Sequence, residues 1–149
     1  SDNIVLATIL RAGLPLHQGF LNYFDSAENA FVSAYRKGVS EADFTIALEY
    51  LASPSLEGKT LIIADPMLAT GASMVAVYRE LIARCGKPAH THIASVVGCP
   101  KGVKMIEENI DLENEATLWV ATVDDYLNEN KYIVPGLGDA GDLCFGPKL

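Results

Sequence analysis

Apolar positions along this chain switch between three patterns. Ile4-Val5-Leu6-Ala7-Thr8-Ile9-Leu10 is an almost unbroken apolar run, as in a strand buried on both faces of a parallel sheet. Comparable runs predict strands at Ala30 to Tyr35, Lys59 to Ala64, Thr91 to Val97 and Leu118 to Val123. Helical spacing intervenes. Leu14 to Phe24 reads as a helix, and Met74, Val77, Tyr78, Leu81, Ile82 and Cys85 share one helical stripe that stops at Gly86 with Pro88 beyond. Pro100 to Asn109 predicts a further helix, with Pro100 suited to its first turn. Phe44, Ile46, Leu48 and Tyr50 alternate with polar or small residues, the mark of a half-exposed antiparallel strand or arm. From Asn130 on the chain is rich in Gly and reads as loop.

Strands alternating with helices predict an α/β fold: an open, mostly parallel sheet with helices on both faces. Ligands of such sheets bind beyond the carboxyl ends of the strands. Arg11-Ala12-Gly13, Arg36-Lys37-Gly38 and the stretch from Asp65 to Ser73 each follow a predicted strand, so they should converge on one edge. A chain of 149 residues is expected to form one domain.

Charge and cysteines narrow the function classes. The net charge of −8 comes with no basic patch, which argues against nucleic acid as a principal partner. It also means that an anionic substrate needs local donors, or a divalent cation, to overcome the field. Cys85, Cys99 and Cys144 are widely spaced with no C-x-x-C pair, the usage expected of reduced thiols in a cytoplasmic protein. His17, His90 and His92 show no ligand spacing with them, so no metal ligands are assigned. No stretch reaches the ~20 apolar residues of a membrane span, and no membrane partner is expected.

The candidate chemistry centres on Asp65-Pro66-Met67-Leu68-Ala69-Thr70-Gly71-Ala72-Ser73. Here a buried strand runs into an acidic residue, and a short turn leads into a patterned helix. Thr70 is expected to be the N-cap, and the amides from Gly71 to Ser73 are among those a helix start leaves unpaired. Together they can hold a phosphate without a lysine, beside a carboxylate able to hold sugar hydroxyls. The loop is not a Walker loop. On these residues alone, a capped helix with nothing bound is an equal alternative.

The spelling Asp65-Pro66-Met67-Leu68-Ala69-Thr70-Gly71 resembles the phosphoribosyl diphosphate loop of the type I phosphoribosyltransferases, in the form typical of uracil phosphoribosyltransferases. Ile9-Leu10-Arg11-Ala12-Gly13-Leu14 and the tail Tyr132-Ile133-Val134-Pro135-Gly136-Leu137-Gly138-Asp139-Ala140-Gly141-Asp142 are similar to the same family, in the same order. The resemblance implies pyrimidine salvage, in which uracil and 5-phospho-α-D-ribose 1-diphosphate (PRPP) give UMP and diphosphate with Mg2+. It further implies that Arg11, Ala12 and Gly13 contact the diphosphate and that Arg36 adds positive charge. Asp65, with Pro66, Met67 and Leu68, would face the ribose, and Ala69, Thr70, Gly71, Ala72 and Ser73 the 5-phosphate. Uracil would meet Ile133, Gly138, Asp139 and Ala140, and Asp139 would also face PRPP or its metal as the candidate catalytic group. Glycines at 136, 138 and 141 suit a backbone that approaches a base closely. A homodimer is expected, with the Phe44 to Tyr50 arm contributing.

Departure of an anionic leaving group gives an oxocarbenium-like transition state, as in other glycosyl transfers. That chemistry needs anion stabilisation and alignment more than a nucleophile. The family usually carries several dozen residues ahead of the arginine loop, and their absence here is an expected departure. Ala72 stands where relatives often have a second glycine. His17 is expected to be packed or solvated rather than catalytic. Two alternatives remain at this level: a transferase for another nucleobase, and a non-catalytic nucleotide-sensing or regulatory protein on the same fold.

Overall fold

The structure is a computed structural model that describes residues 3–37 and 45–149, with the backbone alone at 35–37 and 45. Seven strands form one sheet: β1 (Ile4–Leu10), β2 (Glu28–Lys37), β3 (Thr45–Ala52), β4 (Thr60–Ala64), β5 (Met67–Leu68), β6 (His90–Gly98) and β7 (Ala116–Val123). Their order is β3-β2-β1-β4-β6-β5, with β7 also pairing β6. Every pairing in this sheet is parallel except that of β2 with β3. The predicted arm is therefore β3, running antiparallel beside β2; Phe44 itself lies outside the described residues.

Residue parity explains the layers. Val5, Ala7 and Ile9 of β1 share one face with Ala30, Val32, Leu61, Ile63 and Ile93. On that face pack α2 (Ala72–Cys85), through Met74, Val77 and Leu81, and α3 (Pro100–Asn109), through Ile106. All of these side chains are essentially inaccessible to water, and burying each is worth about 1.5–3 kcal/mol. The opposite face, with Leu6, Asn29 and Phe31, carries α1 (Leu14–Leu21). His17 of α1 is buried there, its Nε2 2.7 Å from Asn29 Oδ1 and its ring tilted against Phe31. It is a packed histidine, as expected.

Several boundaries move. α1 ends at Leu21 rather than Phe24, and a turn follows in which the Tyr23 and Phe24 amides both donate to Phe20 O. β2 runs through Arg36 and Lys37, past the strand end expected at Tyr35, because hydrogen bonding to Ile46 and Thr45 of β3 extends it. β7 begins at Ala116, two residues early, since Thr91 and His92 of β6 pair with Ala116 and Thr117. The tail is the largest correction. It contains β9 (Ile133–Val134), paired antiparallel with β8 (Tyr126–Leu127), and then α4 (Ala140–Phe145).

The chain moves from β1 outward to β2 on one side and later returns to place β4 on the other. The strand order thus reverses between β1 and β4. The crevice at the carboxyl ends of those two strands is where ligands bind in open α/β sheets.

Candidate functional site

The loops after β1 and β4 meet at this crevice. Arg11-Ala12-Gly13 turns the chain from β1 into α1, with the Gly13 amide donating to Ile9 O at 3.0 Å. Gly13 is so close to β4 that a Cβ there would lie 2.9 Å from Ala64 O, one residue before Asp65. β2 outlasts β1, whose last pairing is Leu10 with Ser33, so the β2–β3 hairpin extends past this same edge. Arg36 lies in that extension, on a strand rather than a loop; its side chain is outside the described residues.

After β4 the chain does not simply turn. Met67 and Leu68 form β5, paired in parallel with Val97 and Gly98 of β6. α3 fastens the loop from below: the Cys99 amide donates to Leu68 O and the Cys99 thiol to Ala69 O at 3.1 Å. The N-cap of α2 is Gly71, not Thr70. Gly71 adopts φ +80°, a left-handed conformation that favours glycine. Thr70 acts from one residue further out, its Oγ1 accepting the Ala72 amide at 3.3 Å. Ala72 itself has no positive φ, so replacing a glycine there brings no backbone strain.

The Val75 amide closes the first helical bond onto Gly71 O at 3.0 Å. As at any helix start, the amides before it lack intrahelical acceptors and carry the positive end of the helix dipole. They border a cavity of about 90 Å³ lined by Asp65, Met67, Leu68, Ala69, Thr70, Gly71, Ser73 and Met74. Of the predicted loop, only Pro66 and Ala72 are absent from this lining.

Asp65 forms one wall of the cavity. Burial pushes its carboxyl up to about 7, against a smaller downward pull from the Met67 amide, which donates to it at 3.4 Å. Half-buried and facing the cavity, with one long amide bond, the Asp65 carboxyl is placed to take up ligand hydroxyls or a cation.

The tail forms the other part of the site. Ile133 is buried in a cluster with Val97 and Cys99, against which Met67, Ala69 and Leu127 pack. Asp124, just after β7, accepts the Gly136 amide at 2.8 Å, and the Asp125 amide donates to Val134 O at 3.0 Å. Asp139 is the N-cap of α4, its Oδ1 accepting the Asp142 amide at 2.8 Å. That bond, followed by Lys148, keeps the Asp139 carboxyl below its usual range. It stays a carboxylate near neutral pH.

Arg11 joins the two halves. Its Nη2 donates to Asp142 Oδ1 at 2.6 Å and to Gly146 O at 2.9 Å. Asp142, Gly146, Asp124, Cys99 and Gly102 were not singled out from the sequence as site residues. For Asp142 a signal existed, since Asp139 and Asp142 are spaced as a helix cap and an acidic first turn. For Asp124, which acts across 12 positions, there was none.

Comparison with known proteins follows the same lines. A family model described as uracil phosphoribosyltransferase matches residues 1–147. A uracil phosphoribosyltransferase from Porphyromonas gingivalis is 55% identical over 148 residues, covering 99% of this chain and 67% of the relative. One from Thermococcus gammatolerans is 40% identical over 148 residues, covering 99% and 63%. This chain therefore spans about two thirds of the length of these relatives. Among solved structures, the AQ2163 protein from Aquifex aeolicus superimposes with a TM-score of 0.85 at 34% identity, over 99% of this chain and 67% of that one. A purine phosphoribosyltransferase from Pyrococcus horikoshii shares the fold alone, with a TM-score of 0.59 at 15% identity over 82% of this chain and 77% of that one. A match running from before β1 to beyond α4, joined to a crevice of this design, establishes that the chain belongs to the uracil phosphoribosyltransferase family.

Proposed function

We propose that the crevice transfers a phosphoribosyl group from PRPP to uracil, giving UMP and diphosphate in pyrimidine salvage. The observation that carries this reading is the cavity at the start of α2, where the helix N-terminus and the Asp65 carboxyl border the same space. A sugar phosphate presents a dianion and a pair of hydroxyls, matching the two. The 5-phosphate lies on the amides from Ala69 to Ser73, where each charged hydrogen bond is worth about 1.5–3 kcal/mol. Asp65, flanked by Pro66, Met67 and Leu68, receives the ribose hydroxyls.

Arg11 and the backbone of Ala12 and Gly13 stabilise the departing diphosphate, with Arg36 adding charge from the β2–β3 hairpin. Uracil is read by peptide groups near Ile133, Gly138, Asp139 and Ala140. Asp139 is held as an anion by the α4 amide and Lys148, so it suits electrostatic stabilisation of a cationic sugar better than proton removal. Among the described residues no group of three or more His, Cys, Asp or Glu side chains comes together to hold a metal. Mg2+ in this reading arrives on the diphosphate, keeping mostly phosphate and water ligands, and lowers the charge of a substrate entering an acidic protein.

The other nucleobases are disfavoured by the relatives, which are named for uracil. A non-catalytic sensor is disfavoured by the arginine loop kept beside the phosphate cavity. Homodimerisation belongs to the same reading; β3 is an edge strand of the sheet among the described residues, and Tyr50 on it is exposed. No helix among the described residues is long and apolar enough to cross a membrane, and the reading places the reaction in the cytoplasm.

The test is direct. Incubation with labelled uracil, PRPP and Mg2+ should yield UMP, and hypoxanthine should yield no nucleotide. PRPP binding without turnover, in the chain and in a version extended to the length of its relatives, would favour the sensor.

A further inference from the structure

Asp142 has no place among the substrate contacts just described, yet it makes the shortest bond to the arginine at their centre. Arg11 and Asp142 are 131 positions apart and meet at 2.6 Å. Around the same guanidinium lie Gly146 O, 2.9 Å from Nη2, and the Phe145 ring, 6.0 Å from Cζ. Gly141 is close as well, since a Cβ there would lie 3.6 Å from Arg11 Nε and 3.7 Å from the Ala12 Cβ. One turn of α4 thus surrounds one side of Arg11. Both members of the pair keep 35% of their side-chain surface exposed, so the bond adds little to fold stability. Its geometry matters more than its energy.

A guanidinium has five N–H donors in a planar fork. Here Asp142 and Gly146 draw on Nη2 alone, leaving Nη1 with no partner among the contacts above. An unrestrained arginine gives up rotamer freedom when it grips an anion. One already held by a second carboxylate has given up much of that beforehand. Resting on the transferase reading above, we infer that Asp142 is a positioning residue, which orients Arg11 so that its remaining edge meets the diphosphate of PRPP. α4 then serves the diphosphate end of the reaction as well as carrying the uracil motif at its start. Lys148 also reaches Asp142, at 3.2 Å.

Asp142→Asn keeps the shape and removes the charge. It should raise KM for PRPP about tenfold with KM for uracil changed less than about twofold. Asp142→Glu should recover part of the loss. Added to Arg11→Ala, Asp142→Asn should have no further effect, because its influence passes through Arg11. Calorimetric titration with magnesium diphosphate gives a readout independent of turnover, and affinity there should fall in parallel. If wild-type protein binds diphosphate but forms no UMP, the transferase reading fails while the Arg11 argument can still be judged from binding. Equal or tighter diphosphate binding by Asp142→Asn would overturn the inference and leave the transferase reading intact. So would an undiminished effect of Asp142→Asn in the Arg11→Ala background.

Discussion

Gly102, in the first turns of α3, passes directly beneath Leu68 of the phosphate loop. A Cβ on Gly102 would lie 2.5 Å from Leu68 O and 2.6 Å from Ala69 O. The contact is reciprocal, since a Cβ on Gly71 would lie 2.9 Å from Gly102 O. The backbone that shapes the cavity is thus keyed into a helix about 30 residues further on. Gly102→Ala must push backbone away from backbone, at about 1–3 kcal/mol. The expected result is a lower Tm and a smaller rise in Tm on adding PRPP and Mg2+. Unchanged values of both would show that α3 does not set the loop.

Asp65 predicts an unusual pH dependence of stability. Its folded-state pKa, about 7, stands above the ordinary 3.8 that applies in the unfolded chain. Between those two values the folded protein holds the extra proton, so this group's contribution to stability falls as pH rises, then levels off above about pH 7. At about 1.4 kcal/mol per unit the ceiling is on the order of 4 kcal/mol, reduced by the residue's partial exposure. Asp65→Asn removes the slope. Thermal melts should show the variant more stable than wild type at pH 7.5 and alike in acid, while PRPP use drops roughly 10–100-fold. A variant with wild-type kinetics would remove Asp65 from the site.

Asp124 holds the loop proposed to read uracil, accepting the Gly136 amide at 2.8 Å. Truncation to Ala leaves a partly buried donor without its acceptor, a loss of about 1–3 kcal/mol that falls on the loop. KM for uracil should rise about tenfold with KM for PRPP within about twofold. Equal changes in both constants would mean that the loop acts on the whole site.

The central strands and the three motif segments were legible because each rests on local pattern. Val5 to Ile9 is apolar on both faces since helices cover both, and Pro100 to Asn109 is bounded as expected by an N-terminal Pro and its own amphipathic stripe. The tail was misread because its glycines outweigh a six-residue helix whose start depends on one side-chain cap. Thr70 was assigned the N-cap on residue preference, yet Gly71 takes it, because the chain must turn left-handed while pressed against α3. Arg36 reads from the sequence as lying beyond the end of its strand, because no local signal reveals that β3 will pair with it.

Sequence alone determined the alternation of strand and helix and the spelling of the Asp65 to Ser73 loop. Burial periodicity and helix-start chemistry are properties of neighbouring residues. Only the tertiary structure decided what those residues face. The reversal of strand order between β1 and β4 opens the crevice. The desolvation of Asp65 depends on what closes over it, and the grip of Asp142 on Arg11 joins the two ends of the chain. Such contacts depend on distances in space between residues far apart along the chain, and no local pattern encodes them.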